Sequence, residues 1–130
     1  MISPTGSNEI RSDGMGGGHY GAPRHNRPHA GADYVCQPGQ EVVSPITGMV
    51  ERHADPYGDG EYGGIEIVGS QCAVKMFYFR PSVLPGVFVK QGEAIGRAQD
   101  ISKRHGGGMK PHIHLEIRSI DPDIFISNLS

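Results

Sequence analysis

The sequence predicts a mostly β protein, and three observations support that prediction. Twenty glycines and ten prolines are spread along the 130 residues, which is typical of many turns between short strands. No long apolar stripe with the 3.6-residue period of a helix is present. Several short runs are rich in β-branched and aromatic residues and end at Gly, Pro or Asp. Because this length suits one hydrophobic core, we expect a single domain over residues 1–130.

The predicted elements follow these runs in chain order. Residues 1–28 are rich in Gly, Ser, Asn and Pro, so they are predicted to be irregular and to wrap the surface. Strands are predicted for EVVSPITGMVER (41–52), GGIEIVG (63–69), CAVKMFYFR (72–80) and HIHLEIR (112–118). The connecting segments are predicted to be a turn-rich stretch at 55–64, a turn and short strand at 89–98, and a mobile glycine-rich loop at 103–110.

Charge and hydropathy exclude several classes of partner. The formal net charge is −2, so no basic surface favours nucleic acid or acidic lipid. The first thirty residues hold no apolar run long enough for a signal peptide. Nothing later approaches the roughly 20 apolar residues that span a bilayer. We therefore expect a soluble protein with no signal peptide and no membrane insertion.

The two cysteines, Cys36 and Cys72, allow at most one intramolecular disulfide, and neither belongs to a CxxC pair. Free cysteine commonly behaves as a small core hydrophobe. We predict two free, buried thiols, and pairing of the two with each other remains the alternative.

Candidate functional residues come from two histidine patterns. In PHIHLEIR, alternation along a strand puts His112 and His114 on one face, with Glu116 next in the row. The run HAGAD supplies His29 and Asp33. Taken singly, these patterns also suit a turn residue, an exposed acid and a polar strand face. Taken together, two imidazoles and one carboxylate form a catalytic zinc set with an open fourth position, which indicates a hydrolase.

Longer runs resemble a known family. RPHAGADYVCQPGQEVVSPITGMV, GVFVKQGEAIG and PHIHLEIR followed by DP resemble the lysostaphin-type, LytM-like zinc peptidases, whose pattern is HxxxD and then HxH. The resemblance covers residues 7 to about 125. It implies a compact antiparallel β sheet or sandwich core with an open groove and long loops. It also implies that Zn²⁺ is bound by His29, Asp33 and His114, and that His112 stays off the metal as general base.

The remaining polar residues have simpler interpretations. Glu116 is a candidate for orienting an imidazole, although a solvated acid is the alternative. His19, His25 and His53 are expected to be surface residues. The loop that carries His105 could bring it toward the groove.

The chain departs from the family at one position. Active members carry another catalytic histidine in a Tyr-x-His run, where this chain has Tyr78, Phe79 and Arg80. Two functions follow: a peptidoglycan endopeptidase in which Arg80, or else Tyr78, stabilises the oxyanion, or a zinc-retaining binding module like an animal branch of the family that lacks the same histidine. Losing one oxyanion donor typically costs about 10²- to 10³-fold in rate, and Arg is a usable donor. The enzyme is therefore favoured.

The expected origin is microbial or viral. The absence of a signal peptide and the small number of cysteines do not suit a small secreted animal protein. We expect synthesis in the cytoplasm and action at the cell wall through a phage particle or lysis route. The expected partners are peptidoglycan peptide and virion or tail proteins. A biotinyl or lipoyl carrier is disfavoured, because Lys75 lies inside a strand run and not at a hairpin tip.

The Arg80 assignment yields a prediction. A guanidinium stays charged at neutral pH and can serve only as an electrostatic donor. Arg80→Ala should lower kcat by about 10²-fold with zinc content unchanged, and Arg80→His should match or exceed the parent. The measurement is hydrolysis of purified peptidoglycan at matched zinc content. Zinc loss in Arg80→Ala would contradict the assignment.

Overall fold

The computed structural model describes residues 1–7 and 31–119, together with the backbone of four two-residue strands between them. These are β1 (Ser12–Asp13), β2 (Gly16–Gly17), β3 (Pro23–Arg24) and β4 (Arg27–Pro28). They pair as two short antiparallel ribbons, β1 with β2 and β3 with β4. The segment predicted to be irregular therefore contains some regular pairing, and its other residues after position 7 lie outside the described ones.

In the rest of the described chain, the regular secondary structure is nearly all sheet. Its elements are β5 (Ala32–Val35), β6 (Glu41–Val43), β7 (Gly48–Ala54), β8 (Gly64–Val68), β9 (Cys72–Phe77), β10 (Phe79–Pro81), β11 (Phe88–Val89), β12 (Ala94–Ala98), the 3₁₀-helix η1 (Ile101–His105) and β13 (His112–Ser119). Six strands form the main sheet in the order β11-β7-β8-β9-β13-β5, and three form a second sheet in the order β10-β12-β6. All pairings are antiparallel. The predicted fold class is confirmed.

One cluster of apolar side chains joins the two sheets. Val42, Phe79 and Ile95 of the second sheet belong to the same buried cluster as Met76 and Leu115 of the main sheet. Each fully buried side chain of this size contributes about 1.5–3 kcal/mol. Because side chains alternate along a strand, the main sheet turns one face to this core and presents the other, its outer face, to solvent.

Two predicted strands are each divided between the sheets. The run 41–52 forms β6 and β7, separated by residues 44–47. Pro45 in that gap has no N–H for a ladder, and the Ser44 hydroxyl donates to the Ile46 carbonyl at 2.6 Å. The run 72–80 forms β9 and β10, which separate at Tyr78, a residue with φ of +83°.

The predicted loop at 103–110 is partly helical. Asp100 caps η1 by accepting the Ser102 N–H, and Gly106 ends it with φ of +73°. The first three residues of the predicted loop therefore belong to η1, which is the only helix in the described part of the chain and is too short to cross a bilayer. The connection at 55–64 is made of turns and bends up to Gly64, as predicted.

Gly31 and Gly64 are among the glycines that close backbone packing requires in the main sheet. A β-carbon at Gly31 would collide with the carbonyl oxygen of Leu115, and one at Gly64 would collide with that of Met76. Both obstacles are backbone atoms of a paired strand, which cannot move away without breaking the ladder. Side chains are therefore excluded from these two positions.

Both cysteines are free, as predicted, although only Cys36 is fully buried and Cys72 is half-buried. Burial raises the pKa of the Cys36 thiol to about 11, and the nearby charge of Asp100 adds to the shift. Thiolate is the reactive form, so a raised pKa makes Cys36 unreactive at neutral pH.

This difference predicts unequal thiol reactivity. At pH 8 a group with a pKa of about 11 is only about one part in a thousand thiolate, so Cys72 should react with an aromatic disulfide reagent well before Cys36. Denaturation without reductant should release two thiols. Cys72→Ser is the control and should leave one slow thiol. Two equally fast thiols in the native protein, or none after denaturation, would contradict this expectation.

Candidate metal centre

Asp33 and His114 face each other across paired strands. The register of β13 on β5 sets His114 opposite Asp33. The two side chains meet with His114 Nδ1 2.8 Å from Asp33 Oδ1, and Asp33 is only 2% exposed. A carboxylate oxygen only accepts, so a proton or a metal cation must lie between these atoms. A buried carboxylate beside an imidazole nitrogen is a donor pair that suits zinc.

His112 lies on the same outer face and is held in one tautomer. Its Nδ1 lies 2.7 Å from the carbonyl oxygen of Lys110. Since a carbonyl can only accept, Nδ1 must carry the proton, and Nε2 of the neutral ring carries the lone pair. Nε2 lies 3.7 Å from Asp33 Oδ2, and the side chain is 3% exposed. In its neutral form, His112 therefore presents a proton acceptor 3.7 Å from the Asp33 carboxylate.

The third predicted ligand, His29, lies outside the described residues. Within residues 1–7 and 31–119, no three His, Cys, Asp or Glu side chains are arranged to hold a metal. Asp33 and His114 are thus the described part of the predicted ligand set. The assignment of His29, like the identity of the metal, stays a prediction.

Two aromatic rings fix the planes of the imidazoles. Phe77 stacks on His114 with ring centroids 5.5 Å apart and an interplanar angle of 12°. Tyr78 stands edge-on to His112 at 5.3 Å and 88°. Tyr78 also holds a positive φ, and strained backbone of this kind often accompanies functional sites. Its N–H donates to the Gly63 carbonyl at 2.8 Å, which secures the strained position.

The guanidinium of Arg80 is directed elsewhere in the described structure. It donates to the carbonyl oxygens of Gly60 at 3.1 Å and Glu61 at 2.7 Å, on an exposed side chain. These contacts fasten the 55–64 connection to β10. Of the two residues predicted as oxyanion donors, the structure brings Tyr78 against the histidines and not Arg80. A direct catalytic role for Arg80 stays a prediction, and its observed contacts favour a structural role.

His105 reaches the site indirectly. Its Nε2 lies 3.2 Å from the hydroxyl of Tyr57, whose ring stacks with Tyr78 at 6.2 Å. Arg104 covers Tyr57 at 3.7 Å from the ring centroid and pairs with Asp59 at 2.9 Å. These contacts of Arg104 and His105 with Tyr57 and Asp59 join η1 to the 55–64 connection. They were not predicted from the sequence. The signal that could have revealed them is a tyrosine placed in a turn-rich stretch opposite a basic loop.

The other histidines and Glu116 are placed as follows. His53 is exposed, as predicted, with Nε2 2.7 Å from the Val83 carbonyl oxygen. His19 and His25 lie outside the described residues. Glu116 Oε1 lies 4.0 Å from His114 Nε2, whereas Asp33 contacts the other ring nitrogen, Nδ1. This distance is too long for a hydrogen bond, so an orienting role for Glu116 stays a prediction.

The fold and the site together define a β-sheet protein of metallopeptidase type. The chain belongs to peptidase family M23, since the model of that family matches residues 27–124. The family resemblance inferred from the sequence is confirmed.

Known proteins resemble the chain at two levels. Bovine leukocyte cell-derived chemotaxin-2 is 36% identical over 124 residues, which cover 92% of this chain and 81% of that protein. The catalytic domain of the antimicrobial peptidase lysostaphin from Staphylococcus simulans has a TM-score of 0.57 at 22% identity, covering 90% of this chain and 92% of that one. A zinc-containing peptidase from Vibrio cholerae has a TM-score of 0.60 at 22% identity, covering 90% of this chain and 36% of that one. This chain therefore spans about a third of the Vibrio protein, and both structural likenesses support the fold alone.

The geometry predicts how metal content responds to substitution. Purified protein should carry close to one zinc per chain, and Asp33→Ala or His114→Ala should lose most of it, because each removes a ligand from a set of three. His112→Ala should retain the metal. Glu41→Gln, an exposed change on β6, is the control. Metal analysis after dialysis gives the answer, and equal loss in His112→Ala and His114→Ala would refute the division of roles.

Proposed function

We propose that the protein is a zinc metallo-endopeptidase that cleaves peptide cross-links or stems of bacterial peptidoglycan. The observation that carries the proposal is the convergence of Asp33 and His114, with the lone pair of His112 Nε2 beside them. Membership of peptidase family M23 supports proteolysis. The likeness to the antimicrobial peptidase lysostaphin supports the fold that such a reaction needs.

The chain's own residues account for the proton transfers. Zn²⁺ held by His29, Asp33 and His114 would supply Lewis-acid activation of water and of the scissile carbonyl. His112 accepts the water proton at Nε2 and returns it to the leaving amine. The Lys110 carbonyl keeps its hydrogen bond to Nδ1–H throughout, which holds the tautomer and the ring orientation. The Tyr78 hydroxyl is the candidate donor to the developing oxyanion.

The proposed place of action is the bacterial cell wall. The protein would reach it as part of a phage particle or by a lysis route, with virion or tail proteins as partners. The likeness to a peptidase that is itself described as antimicrobial supports a target outside the producing cell.

A second candidate function is a recognition module that retains its metal. Arg80 stands where the family's enzymes carry a second catalytic histidine, and its guanidinium is bound to the Gly60 and Glu61 carbonyls. The 36% identity to leukocyte cell-derived chemotaxin-2 adds to this alternative. Under it, the face of the sheet that carries Asp33, His112 and His114 would bind a peptide without cutting it.

Hydrolysis of purified peptidoglycan separates the two functions. The parent should release new amino groups, and chelator should abolish the release. At matched zinc content, His112→Ala should lower turnover by about 10²- to 10⁴-fold. Tyr78→Phe keeps the ring and removes the hydroxyl, so it should lower kcat by about 10²-fold.

Lys90→Gln is the control, because Lys90 is exposed on a turn beside β11 and β12. Undetectable turnover by the parent on walls of several chemotypes would favour the recognition module. Parent-like kcat in Tyr78→Phe would exclude its hydroxyl as the donor.

A further inference from the structure

A charged groove lies on the outer face of the main sheet beside the metal centre. Its volume is about 600 Å³, and its charged lining residues are Glu51, Arg52, Glu66, Lys75, Glu116 and Arg118. Strand register aligns four of them in one row, with Arg52 opposite Glu66, Glu66 opposite Lys75, and Lys75 opposite Glu116. The neighbouring row holds Asp33, His114 and Phe77, so the groove runs directly alongside the site.

The middle of the row is internally compensated. Glu66 is 8% exposed and accepts a hydrogen bond from Arg52 Nε. Lys75 Nζ lies 3.8 Å from its other oxygen. The bond from Arg52 holds the pKa of Glu66 below its usual value, so the carboxylate is charged at neutral pH. Lys75 Nζ also lies 5.5 Å from the centroid of the Phe77 ring. The group formed by Arg52, Glu66 and Lys75 therefore contacts the neighbouring row that holds Asp33 and His114.

The charges of Glu116 and Arg118 are less balanced by neighbouring charges than those of Arg52, Glu66 and Lys75. Among the described residues, the ion contact of Glu116 is with His114, at 4.0 Å, and a neutral metal-ligating imidazole would not balance its charge. Arg118 is exposed and makes no ion pair with a described residue. Both lie on β13, two positions apart and on one face, so their Cα atoms are separated by about 7 Å. The groove thus offers an anion near the metal centre and a cation one step farther along.

We infer that this groove binds an extended peptide that carries a basic and an acidic side chain two positions apart. The basic side chain pairs with Glu116, and the acidic one pairs with Arg118. An extended ligand repeats its side chains on one face at the same interval of about 7 Å, so both pairs form at once. Adjacent charged residues would point to opposite faces and could form only one pair. The inference deepens the proposed function by naming side chains of the substrate and rests on it for the cut, while binding needs no catalysis.

Peptide binding to the zinc-loaded, 130-residue His112→Ala protein tests the inference without turnover. The probes are end-blocked, fluorescently labelled pentapeptides: Gly-Lys-Gly-Glu-Gly, the uncharged Gly-Gln-Gly-Gln-Gly, the like-charged Gly-Lys-Gly-Lys-Gly and Gly-Glu-Gly-Glu-Gly, and Gly-Gly-Lys-Glu-Gly with adjacent charges. Each partly exposed ion pair contributes up to about a fivefold change in Kd. The first peptide should therefore bind up to about 25-fold tighter than the uncharged one and tighter than the other three, and added salt should reduce the difference.

Substitutions assign each pair. In the His112→Ala background, Glu116→Gln should weaken binding of Gly-Lys-Gly-Glu-Gly by up to about fivefold and leave binding of a sixth probe, Gly-Gln-Gly-Glu-Gly, unchanged. Arg118→Gln should likewise weaken binding of Gly-Lys-Gly-Glu-Gly, because it removes the cation that pairs with the acidic side chain of the peptide. Glu41→Gln and Arg97→Gln, exposed changes of the same types on the second sheet, are the matched controls. Equal affinity for the first five probes, or equal effects of Glu116→Gln and Glu41→Gln, would overturn the inference.

The two proposals fail separately. Selective peptide binding by a parent protein that shows no hydrolysis would support the peptide-binding groove and contradict the endopeptidase function. Hydrolysis of cell walls together with peptide binding that does not depend on charge would support the endopeptidase function and contradict charge-selective binding in the groove.

Discussion

The register of β13 between its two neighbours is the constraint on which the site depends. That register places His114 opposite both Asp33 and Phe77. A slip of one residue would turn the histidines into the core and expose Ile113 and Leu115, which are 0% and 1% exposed. Keeping these two side chains buried contributes about 3–6 kcal/mol. The core therefore determines which face of the sheet carries Asp33 and the two histidines.

The break at Tyr78 adds what a regular strand cannot supply. In unbroken alternation, neighbouring residues point to opposite faces, so Phe77 and Tyr78 could not both contact His114. The positive φ of Tyr78 allows both rings to approach it, at 5.5 and 6.5 Å, while Phe79 is fully buried in the core. One strained residue thus passes the chain from the main sheet to the second sheet and completes the wall beside the histidines.

Much of this was predictable from short-range pattern. Alternation in HIHLEIR gave the common face of His112, His114 and Glu116, and the turn residues located most connections. The divisions near Pro45 and at Tyr78 were missed, because continuous β-branched and aromatic runs do not show where a strand changes sheet. The contacts of Arg104 with Tyr57 and Asp59 join residues more than 40 positions apart, and local sequence patterns do not predict such contacts. For the same reason, the position of Arg80 in a motif did not reveal the direction of its side chain.

The bare positions Gly31 and Gly64 bear on how such a protein can diverge. Replacing a histidine on the outer face removes chemistry but leaves the ladder intact, whereas any side chain at these glycines would collide with the backbone of the adjacent strand. Substitution of the catalytic histidines is therefore less damaging to the fold than substitution of Gly31 or Gly64. A lineage can lose its reaction while it inherits the outline of the cleft, and that outline remains available for selection toward another ligand.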